Sequence, residues 1–102
     1  MNSARIKTLK KGAYLINCSR GGIVDESALL AAVNEGHLAG AALDVFEKEP
    51  PEFPNPLFDH PKIVCAPHLG ASTFEAQERV ATTAAKQMIG FFTNNDRTGV
   101  IN

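Results

Sequence analysis

Four side chains of this sequence are of the types that hold acids and move protons, and each lies at or just beyond the end of an apolar run: Arg20, Asp44, Glu49 and His68. Imidazole titrates near neutral pH, so His68 is the best proton donor and acceptor in the chain. Glu49 could orient it. A carboxylate bonded to the far ring nitrogen fixes the tautomer and favours the imidazolium. An arginine offers a planar fork that grips a carboxylate bidentately, so Arg20 suits a ligand whose reacting carbon is next to a carboxylate. Gly21 and Gly22 beside it let the backbone turn sharply and a ligand approach closely. Bland readings compete with these: a solvated loop arginine, a strand-ending turn at Pro67-His68, and a solvated loop acid.

Other reactive types read as structural. His37 lies beside a helix C-terminus and His60 in a proline-flanked turn, so structural or solvent roles are expected for both. Glu47, Lys48 and Glu52 read as loop solvation, and the Met88 and Phe91 stripe as core packing. Cys18 and Cys65 each lie inside an apolar run, where reduced buried thiols are expected rather than a disulfide framework or a metal pair. Cys18 would reach the ligand rim, but no neighbour that lowers its pKa is identifiable, so an inert thiol is expected.

The elements that must position these groups alternate. Ser3 can cap a helix through about Lys10, and Gly12 fits its end. Ala13 to Cys18 is nearly continuous apolar sequence without period-2 alternation, the pattern of a parallel strand buried on both faces. Asp25 can cap a helix from Glu26 to about Glu35, with Leu29, Leu30 and Val33 on one face and Gly36 at the stop. A second strand runs from Leu38 to Val45. Strand, helix and strand in this order make a βαβ unit, whose crossover is nearly always right-handed and whose strands are parallel. From Phe46 to Pro61 five prolines disfavour a helix and leave a long structureless connection. Lys62 to Ala66 is a third strand. Ser72-Thr73-Phe74-Glu75 fits a capping box, after which Ala76, Val80, Ala84, Met88 and Phe91 recur at helical spacing to about Phe92. The polar tail from Thr93 to Asn102 is expected to be disordered. In open α/β sheets, ligands sit beyond the carboxyl ends of the strands, which gathers Arg20, Asp44, Glu49 and His68 on one rim.

At 102 residues the chain can make one small domain with a thin core, and its 44% apolar and 21% charged residues are ordinary for a globular protein. A net charge of −1 gives no electrostatic footprint for nucleic acid or an anionic membrane. No apolar stretch approaches the roughly 20 residues that span a bilayer. The N-terminus lacks the apolar run of a secretory signal, so the cytoplasm is the expected compartment.

Three segments carry a resemblance. Leu15-Ile16-Asn17-Cys18-Ser19-Arg20-Gly21-Gly22, then Gly40-Ala41-Ala42-Leu43-Asp44-Val45-Phe46-Glu47-Lys48-Glu49-Pro50, then Ala66-Pro67-His68-Leu69-Gly70-Ala71-Ser72-Thr73 resemble, in order and spacing, three successive signatures of the D-isomer-specific 2-hydroxyacid dehydrogenases. The resemblance implies an α/β fold that is half of a Rossmann-type doubly wound domain, with three parallel strands and flanking helices. It also implies NAD as cofactor and a small 2-hydroxy or 2-keto acid as substrate. By the same carry-over, Arg20 binds the substrate carboxylate and carbonyl, Glu49 supports the histidine, and His68 exchanges a proton with the substrate hydroxyl. Cys18, Ser19, Arg20, Asp44, His68 and Gly70 line the cofactor, with Asp44 near the nicotinamide carboxamide.

No G-x-G-x-x-G occurs in the 102 residues, so the helix-terminal pyrophosphate cradle is missing from them. The expectation is that residues 1–102 are the C-terminal half of a dinucleotide-binding domain, without its glycine-rich half or a substrate domain, and inactive alone. An exposed edge on the Tyr14 to Cys18 strand would favour a homodimer. Two alternatives stay open: a fragment of a dinucleotide-regulated co-repressor, which resembles the same family, and a truncated piece with no native activity.

Overall fold

A computed structural model describes residues 1–101. It contains α1 (Ser3–Lys7), β1 (Ala13–Asn17), α2 (Glu26–Asn34), β2 (Leu38–Leu43), β3 (Ile63–Cys65) and α3 (Phe74–Asn94). The chain divides into two units, Met1–Gly70 and Ala71–Asn102.

In the first unit the three strands form one parallel sheet in the order β1-β2-β3. The pairings Asn17↔Leu43 and Leu43↔Cys65 bring all three strands to their carboxyl ends at the same level. This is the Rossmann-type arrangement expected from the sequence. Asp25 caps α2 by accepting a hydrogen bond from the Ala28 amide at 2.9 Å, and Gly36 ends the turn at φ 69°, a left-handed conformation that glycine adopts without steric cost. Helix α1 is shorter than expected, and its cap is Asn2, whose side chain accepts from the Arg5 amide. Asn2 precedes the helix and its side chain reaches into the first turn, so it displaces Ser3 from that role.

The core lies on one face of the sheet. Leu29, Ala32 and Val33 of α2 recur at i, i+3 and i+4 and pack with Ile6 of α1 over Leu15, Ala41, Leu43 and Ile63. The opposite face is open: Tyr14, Ile16 and Val64 are 74%, 70% and 69% exposed. The expectation that β1 is buried on both faces is therefore corrected. Alternate side chains of a strand point to opposite faces, and only one face is covered here. Cys18 is likewise exposed rather than buried, while Cys65 is half-buried, and both are free thiols.

The 44–62 connection holds no helix or strand, yet it is packed. Phe46 and Leu57 join the core, and the Phe46 and Phe58 rings meet edge to face at 5.2 Å. Glu47 does more than solvate the loop. Its side chain accepts from the Glu26 amide at 3.2 Å while the Glu26 side chain accepts from the Glu47 amide at 2.6 Å, which ties the connection to the start of α2. Lys48 and Glu52 do read as solvation, forming an exposed ion pair of small energetic weight. His37 contacts the Ile6 carbonyl and His60 the Asn34 side chain, as structural histidines do.

In the second unit Thr73, not Ser72, caps α3, accepting from the Ala76 amide. None of its residues is buried, so the Met88 and Phe91 stripe is exposed rather than core. Along the tail α3 runs on to Asn94, Asn95 closes the helix in a left-handed cap, and the Asp96 side chain accepts from the Thr98 amide and hydroxyl. Asn102 lies outside the described residues. Among the described residues no helix is long and apolar enough to cross a membrane.

Leu29 is fully buried between α2 and the sheet. Leu29→Ala removes that packing and leaves a cavity, and a loss of about 2 to 5 kcal/mol is expected. A urea unfolding midpoint that stays at the wild-type value would place the core elsewhere.

Candidate active site

The polar groups of interest all leave the sheet on one side. Parallel strands ending at the same level release the chain at Cys18, Asp44 and Ala66, so the segments carrying Arg20, Asp44, Glu49 and His68 share the carboxyl-end rim.

The turn after β1 is organised by Asn17, which is 6% exposed. Its side-chain amide donates to the Arg20 carbonyl at 3.0 Å, and its Oδ1 accepts from the Ser19 amide and hydroxyl at 3.2 and 3.0 Å. Asn17 was missed in the sequence reading, where it counted only as part of an apolar strand. A buried asparagine just before a glycine turn is the signal that could have found it, because it must spend its polar atoms locally. Gly21 then passes against the next loop so closely that a Cβ there would sit 1.8 Å from the Phe46 carbonyl oxygen. Only glycine permits that approach. The Arg20 side chain is exposed and donates through one guanidinium nitrogen to the Ser19 carbonyl at 2.6 Å.

Glu49 and His68 form the centre of the site. Glu49 Oε2 lies 2.7 Å from His68 Nδ1, and its Oε1 accepts from the Phe46 amide at 3.0 Å. The bond from His68 does most to hold the Glu49 carboxyl below the usual carboxylate range, with the Phe46 amide, His68 charge and Arg20 charge adding to it against partial desolvation. Glu49 is thus an ionised acceptor at neutral pH. Nδ1 carries the proton in that bond, which leaves Nε2 of a neutral ring as a proton acceptor.

Asp44 has a different setting. Its carboxylate is buried and accepts from two consecutive amides, Leu69 at 2.7 Å and Gly70 at 2.6 Å. The Leu69 amide is the largest cause holding its carboxyl below the ordinary range, helped by the Gly70 amide and His68 and opposed by desolvation. A Cβ on Gly70 would lie 3.0 Å from Asp44 Oδ2 and 3.5 Å from the Cys18 carbonyl. Asp44, Cys18 and Gly70 therefore meet at one point of the rim. Cys65 stands back from it, its thiol pushed up by burial and by the Glu26 charge.

An apolar cavity of about 510 Å³ opens beside the pair, walled by Phe46, Phe53, Phe58 and Pro67 with Glu49 and His68 as its polar residues. A concave apolar space with a few convergent polar groups is the usual form of a small-molecule site. Among the described residues, no group of three or more His, Cys, Asp or Glu could hold a metal ion.

Residues 1–70 match the family described as D-isomer specific 2-hydroxyacid dehydrogenase, NAD binding domain. The chain is 56% identical over 91 residues to D-3-phosphoglycerate dehydrogenase of Bacillus subtilis, covering 89% of this chain and 17% of that relative. Among solved structures it is similar to a D-isomer specific 2-hydroxyacid dehydrogenase from Xanthobacter autotrophicus in complex with NADPH and MES, with a TM-score of 0.66 and 47% identity over 69% of this chain and 23% of that one. A glyoxylate reductase from Paecilomyes thermophila superposes with a TM-score of 0.75 at 28% identity, covering 94% of this chain and 29% of that one. The chain thus spans under a third of each of these proteins.

Folding lowers the proton affinity of both Asp44 and Glu49, so the unfolded chain binds more protons in acid than the folded one. Their contribution to stability is complete above the unfolded carboxylate range, about pH 4, and fades as pH falls through the lowered folded values. The urea midpoint should drop between about pH 5.5 and 3, with a smaller drop in the Asp44→Asn, Glu49→Gln double variant. Equal drops in both proteins would remove these two groups from the account.

Proposed function

Since the chain belongs to the D-isomer-specific 2-hydroxyacid dehydrogenase family, in its NAD-binding domain, we propose that it is the C-terminal half of that domain in an enzyme of the phosphoglycerate dehydrogenase type. The reaction is oxidation of a 2-hydroxy acid, 3-phosphoglycerate being the substrate that the identity to the Bacillus subtilis relative favours. That identity also favours a dehydrogenase over a co-repressor. The observation that carries the reading is the 2.7 Å Glu49–His68 pair on the rim where Arg20 and Asp44 also emerge.

In this reading the Arg20 fork turns from the Ser19 carbonyl to the substrate carboxylate and carbonyl. His68 Nε2 takes the proton from the substrate hydroxyl during oxidation and returns it during reduction, while Glu49 keeps the ring in the useful tautomer and stabilises the imidazolium. NAD, when bound, supplies the acceptor for hydride. The acceptor groups of Asp44 and Cys18 fit a carboxamide NH₂, and Ser19, the Arg20 backbone, His68 and Gly70 would complete that wall. Domain closure around the reacting atoms supplies orientation and water exclusion, so these 102 residues alone give no turnover.

In the full-length enzyme, His68→Gln should lower kcat by about 10²- to 10⁴-fold, read by NADH absorbance, and Arg20→Lys should act mainly on KM for the acid. Undiminished kcat in the histidine variant would end the proposal.

A homodimer through the free edge of β1 is the partner reading. Among the described residues only β2 pairs with β1, and Tyr14 and Ile16 leave an apolar surface beside that edge. Light scattering of the concentrated chain should return twice the monomer mass; a monomer mass refutes it.

A further inference from the structure

We propose that Asp44 is a positioning residue for His68: its two carboxylate oxygens clamp the two amides that follow the histidine and so hold the His68 backbone where its ring meets Glu49. The relevance of this clamp to turnover rests on the reading of His68 as the proton carrier, whereas the clamp itself rests on geometry alone.

His68 stands at φ 55°. Residues with a Cβ seldom occupy that left-handed region unless surrounding bonds impose it. The bonds that impose it here are those of the next two residues. Leu69 donates to Asp44 Oδ1 at 2.7 Å and Gly70 to Oδ2 at 2.6 Å, so each oxygen takes one amide and the peptide planes after His68 are fixed in both direction and tilt. Bonds to an ionised acceptor are about twice as strong as neutral ones, and Asp44 is 6% exposed, so water competes poorly.

The clamp is itself anchored. The Asp44 amide donates to the Asn17 carbonyl at 2.9 Å, and Val45 and Phe46 are buried directly after it. Glu49, the other half of the pair, is held by the Phe46 amide. The segment from Asp44 to Phe46 therefore grips both partners: Asp44 holds the loop that carries the imidazole, and the Phe46 amide holds the carboxylate. Gly70 is part of the device. A Cβ on it would come within 3.0 Å of Asp44 Oδ2, so a side chain there would push the carboxylate away from the amides.

The test uses the 102-residue chain, labelled for NMR. In the wild type, the Leu69 and Gly70 amides should be protected from exchange, His68 should give a strong intraresidue amide-to-Hα contact, and its Nδ1 proton should be visible. Asp44→Asn keeps the shape but turns one acceptor into a donor that faces an N–H group. It should cut protection of at least one of the two amides about tenfold or more and erase the His68 Nδ1 proton signal, while the Leu29 and Val33 methyl signals stay in place. Gly70→Ala keeps the charge and displaces the carboxylate, so it should move the same signals in the same direction and carries the test if Asp44→Asn does not fold. A folded variant of either kind that retains the His68 Nδ1 proton and both protected amides overturns the clamp. These signals do not depend on turnover, so failure of the clamp is distinct from failure of the proton-carrier role, which the His68→Gln kinetics decide.

Discussion

Parallel pairing of three strands at one level is the constraint from which the rest of the first unit follows. Asn17, Leu43 and Cys65 lie side by side, so the chain leaves the sheet three times along the same edge. Any polar residue within a few positions of those exits is delivered to a common rim. The one irregularity of register, between Ala13 and Tyr14, lies at the opposite end. It therefore leaves the alignment of the exits intact.

Strand exits create a second demand, because backbone groups that leave the ladder must find partners elsewhere. Three side chains of the rim meet it. Asn17 serves the Ser19 amide and the Arg20 carbonyl, Asp44 serves Leu69 and Gly70, and Glu49 serves Phe46. Two of these three, the Asp44 and Glu49 carboxylates, also set the electrostatics around His68. Gly21 against the Phe46 carbonyl closes the arrangement by bringing the first and second exits into contact.

Helices α1 and α2 cover one face of the sheet, and the other face stays open at Tyr14, Ile16 and Val64. Apolar residues on both faces of β1 record what the strand can tolerate next to it. Whether a face is covered depends on what packs there, and that information is not local to the strand. The same holds for the stripe of α3, apolar at helical spacing yet with no buried residue.

The order and type of every element were legible in the sequence by itself, together with the Asp25 cap, the Gly36 stop and the rim that collects Arg20, Asp44, Glu49 and His68. Those features depend on side-chain periodicity, capping chemistry and strand direction, all of which operate within a few residues or through a single chirality rule. What the tertiary structure alone decided is which atoms meet: Asp44 with amides 25 and 26 positions away, Glu26 with Glu47 across 21, Glu49 with His68 across 19. Composition near each residue shows that it can form such a bond. The choice of partner is made only when distant segments are brought together, because hydrogen bonds act over about 3 Å while the chain between the partners spans tens of ångströms when extended.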